Sequence, residues 1–210
     1  ADGVKWIKDE AKSIDADKNT ITLRSGEELS YDYLVVATGI QYHYEQIEGL
    51  TKEDIGTNGI SSVYLNDLEK GTHSGGELTH QWFKDLKEAA KGDKRPVAIY
   101  TQPNTPIKCG GAPQKILYLS ADYLKQDGLS ANFIFATNSA SLFSLKNVAD
   151  ELQKTQDGYE GMVTKFTHNL KKIDVQKKIA TFDHFWQEQG EYDEDLEMYD
   201  TIRSEERRVG

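Results

Sequence analysis

Cysteine is almost absent from this chain, which has 210 residues and a single cysteine, Cys109. One cysteine cannot form a disulfide within the chain, so this is not a small secreted domain held together by disulfides. No run of about 18 apolar residues occurs, and we therefore expect no membrane-spanning helix. The net charge of −10 argues against a nucleic-acid partner, because nucleic-acid-binding surfaces are basic.

Both ends of the chain have the character of cut ends. The first residues include neither a methionine nor the charged-then-apolar pattern of a signal peptide, and a strand is predicted at 4–8 with no lead-in. The sequence changes abruptly to mixed charge without apolar periodicity at 203–210. We expect an internal fragment of a longer protein, with 201–210 a non-native or disordered tail; a native solvated tail is the alternative.

The first part of the chain predicts short strands joined by turns. Apolar and β-branched residues predict strands at 4–8, 19–24 and 33–37. Turn-forming residues lie at 15–19 and 25–28. These features predict an antiparallel excursion of the kind that decorates nucleotide-binding domains.

The second part of the chain has the alternating pattern of an α/β fold. Its predicted elements are helix 80–91, strand 96–101, helix 112–126, strand 131–137, helix 145–154, and strands near 162–167 and 178–182. A strand, a helix and a strand in this order form a βαβ unit, which predicts a parallel sheet. We place a first domain at 1–78, loop-rich from 41 and with a short helix near 65–70, and a second domain at 79–200.

Cys109 lies where the predicted strand 96–101 leads into the predicted helix 112–126. Pro113 suits the first turn of that helix. Free N–H groups at a helix start, together with Lys108 and Lys115, favour a thiolate at Cys109. Cys109 and Lys115 are therefore the candidate catalytic residues. A lone cysteine as a small buried apolar residue, and Lys115 as a solvated surface residue, remain as alternatives.

Two glycines and four prolines shape the region around this cysteine. Gly110 and Gly111 carry no side chain, so a flat ligand or a second backbone can approach closely, and we count both as candidate cofactor-binding residues. The prolines follow one another closely, which predicts a rigid loop; an ordinary βα connection is the alternative. They are Pro96, Pro103, Pro106 and Pro113.

The remaining polar residues give weaker signals. The histidines have no metal-ligand spacing, and we interpret each as a surface or capping residue and expect no metal. His43 is a candidate general base because it follows strand 33–37. The acidic run 188–195 predicts a solvated loop. The histidines are His43, His73, His80, His168 and His184.

Three segments resemble one known family. Residues 101–120, TQPNTPIKCGGAPQKILYLS, closely resemble the central active-site segment of sulfide:quinone oxidoreductases, in the subgroup that includes the mitochondrial enzyme. Residues 4–8 and 31–41 resemble the FAD-domain segments of the same family. The resemblance implies two Rossmann-like (FAD/NAD(P)-binding) domains with parallel sheets and an antiparallel excursion, incomplete at both ends.

The resemblance also implies a function. Sulfide attacks a sulfur bridge between two cysteines, one cysteine becomes a persulfide, and FAD passes two electrons to a membrane quinone. Cys109 matches the flavin-facing cysteine. Thr38 and Gly39 match an FAD-contacting strand end, and Ala11 matches a backbone contact at the adenine end. A small thiol or sulfite as sulfur acceptor, a peripheral membrane location and a homo-oligomer are further implications.

The chain departs from the family pattern in ways that leave alternatives open. No Gly-x-Gly-x-x-Gly turn for a diphosphate follows a strand, and no second cysteine is present to pair with Cys109. Alone, the chain is therefore expected to be inactive. A non-catalytic nucleotide-binding or interaction module is one alternative. An NAD(P)H-dependent flavin reductase is another, although the proline-rich segment with Cys109 stands where a dinucleotide motif would be.

Overall fold

The computed structural model describes residues 3–65, 74–105, 107, 109–184 and 198–203. Most of the predicted helix 65–70 and all of the acidic run 188–195 lie outside these residues. Two compact units divide the chain, Ala1–Gln41 and Tyr42–Gly210. No helix in the described ranges is long and apolar enough to cross a membrane.

The first unit contains the predicted antiparallel excursion. Its strands are β1 (Ala11–Asp15), β2 (Thr20–Leu23) and β3 (Glu28–Ser30), paired antiparallel in that order. The turns fall where the sequence predicts them, with Asn19 at φ 50° and Gly26 at φ 92°. These are left-handed conformations that asparagine and glycine tolerate best.

Two predicted strands in this unit are wrong. Residues 4–8 and 33–37 have no strand pairing in the structure. Tyr33 is 94% exposed and Val35 is 87% exposed, so the run is neither buried nor paired. The sequence has strand propensity there, but backbone N–H and C=O groups need a neighbouring strand, and the described residues of this unit provide none beside it.

The second unit carries the α/β pattern. Its elements agree with the sequence prediction to within a few residues up to β6, although α1 begins earlier than expected. They are α1 (Gly75–Ala89), β4 (Val97–Gln102), α2 (Ala112–Lys125), β5 (Asn132–Thr137), α3 (Lys146–Asp157), β6 (Met162–Lys165), β7 (His168–Asp174), β8 (Ile179–His184) and β9 (Met198–Arg203). Strands β4, β5 and β6 form a parallel sheet in that order, which confirms the predicted βαβ unit.

Strands β7, β8 and β9 form a separate antiparallel sheet. The sequence predicted only the middle strand of these three. Strand β7 has the sequence HNLKKID, in which the apolar residues Leu170 and Ile173 are three positions apart because the register shifts between Leu170 and Lys172. The alternation that predicts a strand is therefore missing. Strand β9 ends at Arg203, inside the predicted tail 201–210, and that tail stays a prediction beyond this residue.

The parallel sheet is covered on both faces. On one face, α1 and α2 pack against β4 and β5 around Tyr100, Leu117 and Phe135. On the other face, Phe182 of β8 packs against Ile134 of β5. Sheets of parallel strands require cover on both sides. The carboxyl ends of β4 and β5 lie together at one edge, because Gln102 and Thr137 are paired in the ladder.

A buried hydroxyl pair joins β4 to α2 in this core. Ser120 is fully buried and donates its only hydroxyl proton to the Leu117 carbonyl, at 2.8 Å. The hydrogen bond between the hydroxyls of Tyr100 and Ser120 must therefore be donated by Tyr100. Burial raises the pKa of Tyr100 well above its usual range.

We predict that Tyr100→Phe makes the free energy of unfolding less dependent on pH above about pH 10. Because the folded pKa of Tyr100 is raised, its stabilising effect is complete below the unfolded pKa of about 10 and is lost as the pH rises above it. At neutral pH, Tyr100→Phe should cost about 0.5–1.5 kcal/mol for the lost hydrogen bond. Urea unfolding on both sides of pH 10 measures this, and the gap between wild type and variant should shrink at the higher pH. An unchanged gap would contradict the prediction.

Candidate thiol site

Cys109 lies at the start of α2, as the sequence predicts. The Ala112 amide donates to the Cys109 carbonyl at 3.1 Å, and the Lys115 amide donates to the Gly111 carbonyl at 3.3 Å. Pro113 occupies the first turn of the helix, and no side chain of the described residues caps this end. The thiol is free and exposed. The alternative of a small buried apolar cysteine is therefore wrong, and the thiol is open to a reactant.

The two glycines after Cys109 leave room beside the helix start. A Cβ built on Gly111 meets nothing within 4 Å, and one built on Gly110 lies 3.8 Å from the ring of Phe143. Among the described residues, none packs so closely that it requires a glycine at either position. Open backbone at a helix N-terminus is suited to close approach by a ligand, which is the role proposed for these glycines from the sequence.

Of the two lysines near Cys109, the structure describes only Lys115. Lys115 lies in the first turn of α2 and is exposed, so solvent screens its charge. Lys108 lies outside the described residues, as does Pro106. Of the influences on Cys109 that the sequence predicts, the structure therefore describes the helix start and Lys115.

A second loop, residues 138–145, reaches the same edge of the sheet from β5. Gln114 in the first turn of α2 is 1% exposed and donates from its Nε2 to the Leu142 carbonyl at 2.6 Å. Leu142 is buried in the main core, and the next residue, Phe143, packs beside Gly110. The two loops are thus connected close to Cys109.

Gln114 belongs to a chain of hydrogen bonds that is buried at the Leu142 end and partly buried elsewhere. Tyr118 donates its hydroxyl proton to Gln114 Oε1 at 3.1 Å and accepts from Gln156 Nε2 at 3.3 Å. Thr164 donates to Gln156 Oε1 at 2.5 Å. Burial raises the pKa of Tyr118 above its usual value. The chain runs from the Leu142 loop to β6.

Sequence reasoning did not single out Gln114. A signal was present, because Gln114 lies three, seven and ten residues before Leu117, Ala121 and Leu124, which form the buried stripe of α2. A polar residue in an apolar stripe is buried with a partner. The partner is a backbone carbonyl in a distant loop, and no sequence pattern identifies it.

Three of the candidate cofactor-binding residues, Ala11, Thr38 and Gly39, lie in the first unit. Ala11 is the first residue of β1 and is exposed. Thr38 and Gly39 are exposed in irregular chain rather than at the end of a buried strand, since strand 33–37 does not form. Gly39 has φ 83°, a conformation that favours glycine. Their roles stay proposals.

The histidines differ from one another more than the sequence suggests. His43 is exposed and its Nδ1 lies 2.7 Å from Glu45 Oε1, a contact that lowers the pKa of Glu45. His168 is 5% exposed, so its interpretation as a surface residue is wrong. Its ring stacks on His184 at 4.2 Å between centroids, and its Nδ1 contacts the Phe166 carbonyl. Within the described ranges, no three His, Cys, Asp or Glu side chains are grouped to hold a metal.

Together, the fold and the site define a class of protein. The structure is an α/β fold with a parallel sheet, and an accessible thiol lies at the carboxyl edge of that sheet, before a helix. This is the edge at which open α/β sheets bind their ligands. The predicted fold class, α/β with a parallel sheet and an antiparallel excursion, is confirmed.

Comparison with known proteins finds similar sequences under one name. The chain is 37% identical over 183 residues to the mitochondrial sulfide:quinone oxidoreductase of Dictyostelium discoideum, covering 86% of this chain and 37% of that protein. It is 39% identical over 184 residues to the Mus musculus enzyme of the same name, with the same coverage. By sequence, this chain is a relative of the sulfide:quinone oxidoreductases, as its motifs predict.

A solved structure agrees on the fold. The X-ray structure of the sulfide:quinone oxidoreductase from Aquifex aeolicus matches with a TM-score of 0.62 and 18% identity, covering 93% of this chain and 40% of that one. No family model matches the chain. The chain spans 37% of the length of the curated relatives named above.

Proposed function

We propose that this chain carries the redox-thiol segment of an FAD-dependent enzyme that oxidises sulfide and passes the electrons to a membrane quinone. The observation that carries the proposal is Cys109, an exposed thiol before the uncapped start of α2. The names of the relatives support sulfide as the substrate class and quinone as the electron acceptor.

Cys109 is the flavin-facing redox thiol in this proposal. In the oxidised form, its sulfur is bonded to the sulfur of a second cysteine, which this chain does not contain. Hydrosulfide attacks the second sulfur, a new S–S bond forms there as a persulfide, and the original S–S bond breaks. The electron pair of the broken bond leaves on Cys109 as a thiolate, which the N–H groups at the start of α2 stabilise.

The residues proposed to hold FAD fit a ligand with accessible backbone contacts. Thr38 and Gly39 are exposed, and the space beside Gly111 is open. Ala11 and Gly110 complete the proposed set. Bound FAD would take up the electron pair from the thiol site and pass it to the quinone. In this proposal, the chain keeps the Cys109 thiol exposed to reactants at the start of α2.

The remaining parts of the proposal concern partners and location. The persulfide sulfur is proposed to pass to a small thiol or to sulfite. Reaction with a membrane quinone requires contact with a bilayer, so we propose peripheral association at a mitochondrial inner membrane or a bacterial plasma membrane. The mitochondrial relatives support this location at the level of the family. A homo-oligomer is proposed by the same resemblance.

The test uses the longest gene product that contains this chain. Its visible spectrum is recorded without oxygen, before and after addition of sulfide and, separately, of NADH. Flavin bands that bleach with sulfide support the proposal. A colourless protein would contradict it and favour a non-catalytic module. A flavoprotein that ignores sulfide and bleaches with NADH would contradict it and favour a flavin reductase.

We predict that Lys115 assists anionic reactants at Cys109. Lys115→Ala should slow the modification of Cys109 by iodoacetate by about twofold at low salt and leave the reaction with neutral iodoacetamide nearly unchanged, because exposed charges act on reactants of opposite sign. Lys125→Ala, about 15 Å further along the same helix, is the matched control. Equal rates for Lys115→Ala and wild type with iodoacetate at low salt would contradict this role.

A further inference from the structure

One buried hydrogen bond connects the helix that starts at Cys109 to the loop that follows β5. Gln114 Nε2 donates to the Leu142 carbonyl at 2.6 Å, and both residues are buried. The next residue, Phe143, lies beside Gly110, 3.8 Å from the position of a Cβ at that glycine. The Ser141 hydroxyl donates to the Phe143 carbonyl at 2.8 Å. The loop therefore reaches the residue adjacent to the thiol.

We propose that Gln114 is a positioning residue for Cys109, acting through residues 138–145. Gln114 holds Leu142, and Leu142 sets the position of Phe143. Phe143 in turn packs against one side of the turn that contains Cys109 and Gly110. The inference rests on the proposed role of Cys109 as the reactive thiol. Gln114 does not touch a reactant, so its effect on the thiol is indirect.

The direction of the hydrogen-bond chain shows why a glutamine is required at 114. A carbonyl can only accept, so the amide of Gln114 must turn its N–H₂ group toward Leu142 and its oxygen toward Tyr118. Tyr118 then donates to Gln114 and accepts from Gln156. Methionine at 114 keeps the volume and removes the donor. Glutamate keeps the shape and donates to Leu142 only when it is protonated.

Gln156 supplies a matched control. It is also a glutamine that is 1% exposed, and it belongs to the same chain of hydrogen bonds at the end nearer β6. It has no hydrogen bond to residues 138–145 in the structure. A purely structural role for these glutamines predicts similar effects from Gln114→Met and Gln156→Met. A positioning role predicts a difference at Cys109.

The experiment measures modification of the 210-residue chain, whose only thiol is Cys109, by a bulky fluorescent maleimide. Amide hydrogen exchange of residues 138–145 is measured in parallel. With Gln114→Met, we expect amide exchange in this loop to become faster by about fivefold or more, because loss of a buried hydrogen bond makes local opening easier. We expect modification of Cys109 to become faster by about fivefold, because Phe143, no longer held in place through Leu142, obstructs approach of the bulky reagent less. With Gln156→Met, we expect modification within about twofold of wild type, because no bond to this loop is lost.

Two further variants keep the test decisive if Gln114→Met does not fold. Phe143→Ala removes the ring that lies beside Gly110. It should speed modification of Cys109 while Gln114 is intact. Gln114→Glu should match wild type at acid pH, where a buried glutamate is protonated, and exceed it at alkaline pH. Equal acceleration by both methionine variants, or no acceleration by Gln114→Met and Phe143→Ala, would overturn the proposal. No readout depends on flavin or sulfide, so this inference and the proposed function can fail separately.

Discussion

Replacing Cys109 by serine should abolish flavin reduction by sulfide while leaving the flavin bound. Serine keeps the shape of the side chain, but its oxygen cannot form the bond to a second cysteine sulfur on which the proposed reaction depends. Loss of a group that forms a covalent intermediate removes the catalysed route, so we expect at least about a hundredfold slower reduction. The measurement is anaerobic stopped-flow absorbance of the flavin bands after mixing with sulfide.

The structure indicates that this substitution is safe for folding. Cys109 is exposed, and surface substitutions usually change stability by no more than about 0.5 kcal/mol. The control is therefore an unchanged thermal midpoint together with an unchanged ratio of flavin to protein absorbance. A Cys109→Ser protein that keeps its flavin and is reduced by sulfide at the wild-type rate would show that Cys109 is not the redox thiol.

The sequence predicts best those elements whose formation depends on residues within or next to the element. Helix α2 is predicted by Pro113 at its start and by Gly128 after its end. Gly128 has a left-handed conformation, and the Leu129 amide beyond it donates to the Leu124 carbonyl. Strand β5 is buried along its whole length, and its run of apolar residues predicts this. In these cases, the residues that decide the structure lie within the element itself.

The failures occur where the deciding partner is distant in sequence. The run 33–37 has the composition of a strand, but a strand also requires a neighbour, and the described residues of its unit provide none. Gln114 is a polar residue whose reason for burial, the Leu142 carbonyl, lies in another loop. The position of Cys109 before a helix was predicted because it depends on neighbouring residues, whereas its exposure and the packing of Phe143 beside Gly110 were not.

Alanine at the first residue of α1 should destabilise the fold by about 1–3 kcal/mol, through overpacking against backbone that cannot move aside. A Cβ on Gly75 would lie 2.3 Å from the Ser62 carbonyl oxygen and 2.7 Å from the Leu65 nitrogen. The Gly75 amide also donates to the Leu65 carbonyl at 2.8 Å, which holds the two segments at this distance. Alanine there must separate α1 from residues 62–65 or lose that hydrogen bond.

The neighbouring glycine is the matched control, and the expected effect has the opposite sign. A Cβ on Gly76 would meet only the Ser74 hydroxyl, at 3.7 Å, and alanine is favoured over glycine inside a helix by about 1 kcal/mol. Gly76→Ala should therefore raise the urea midpoint, while Gly75→Ala should lower it strongly. Because both changes add one methyl group to the same helical turn, helix propensity alone predicts equal gains. Equal midpoints for the two variants would mean that close approach of α1 to 62–65 does not constrain this fold.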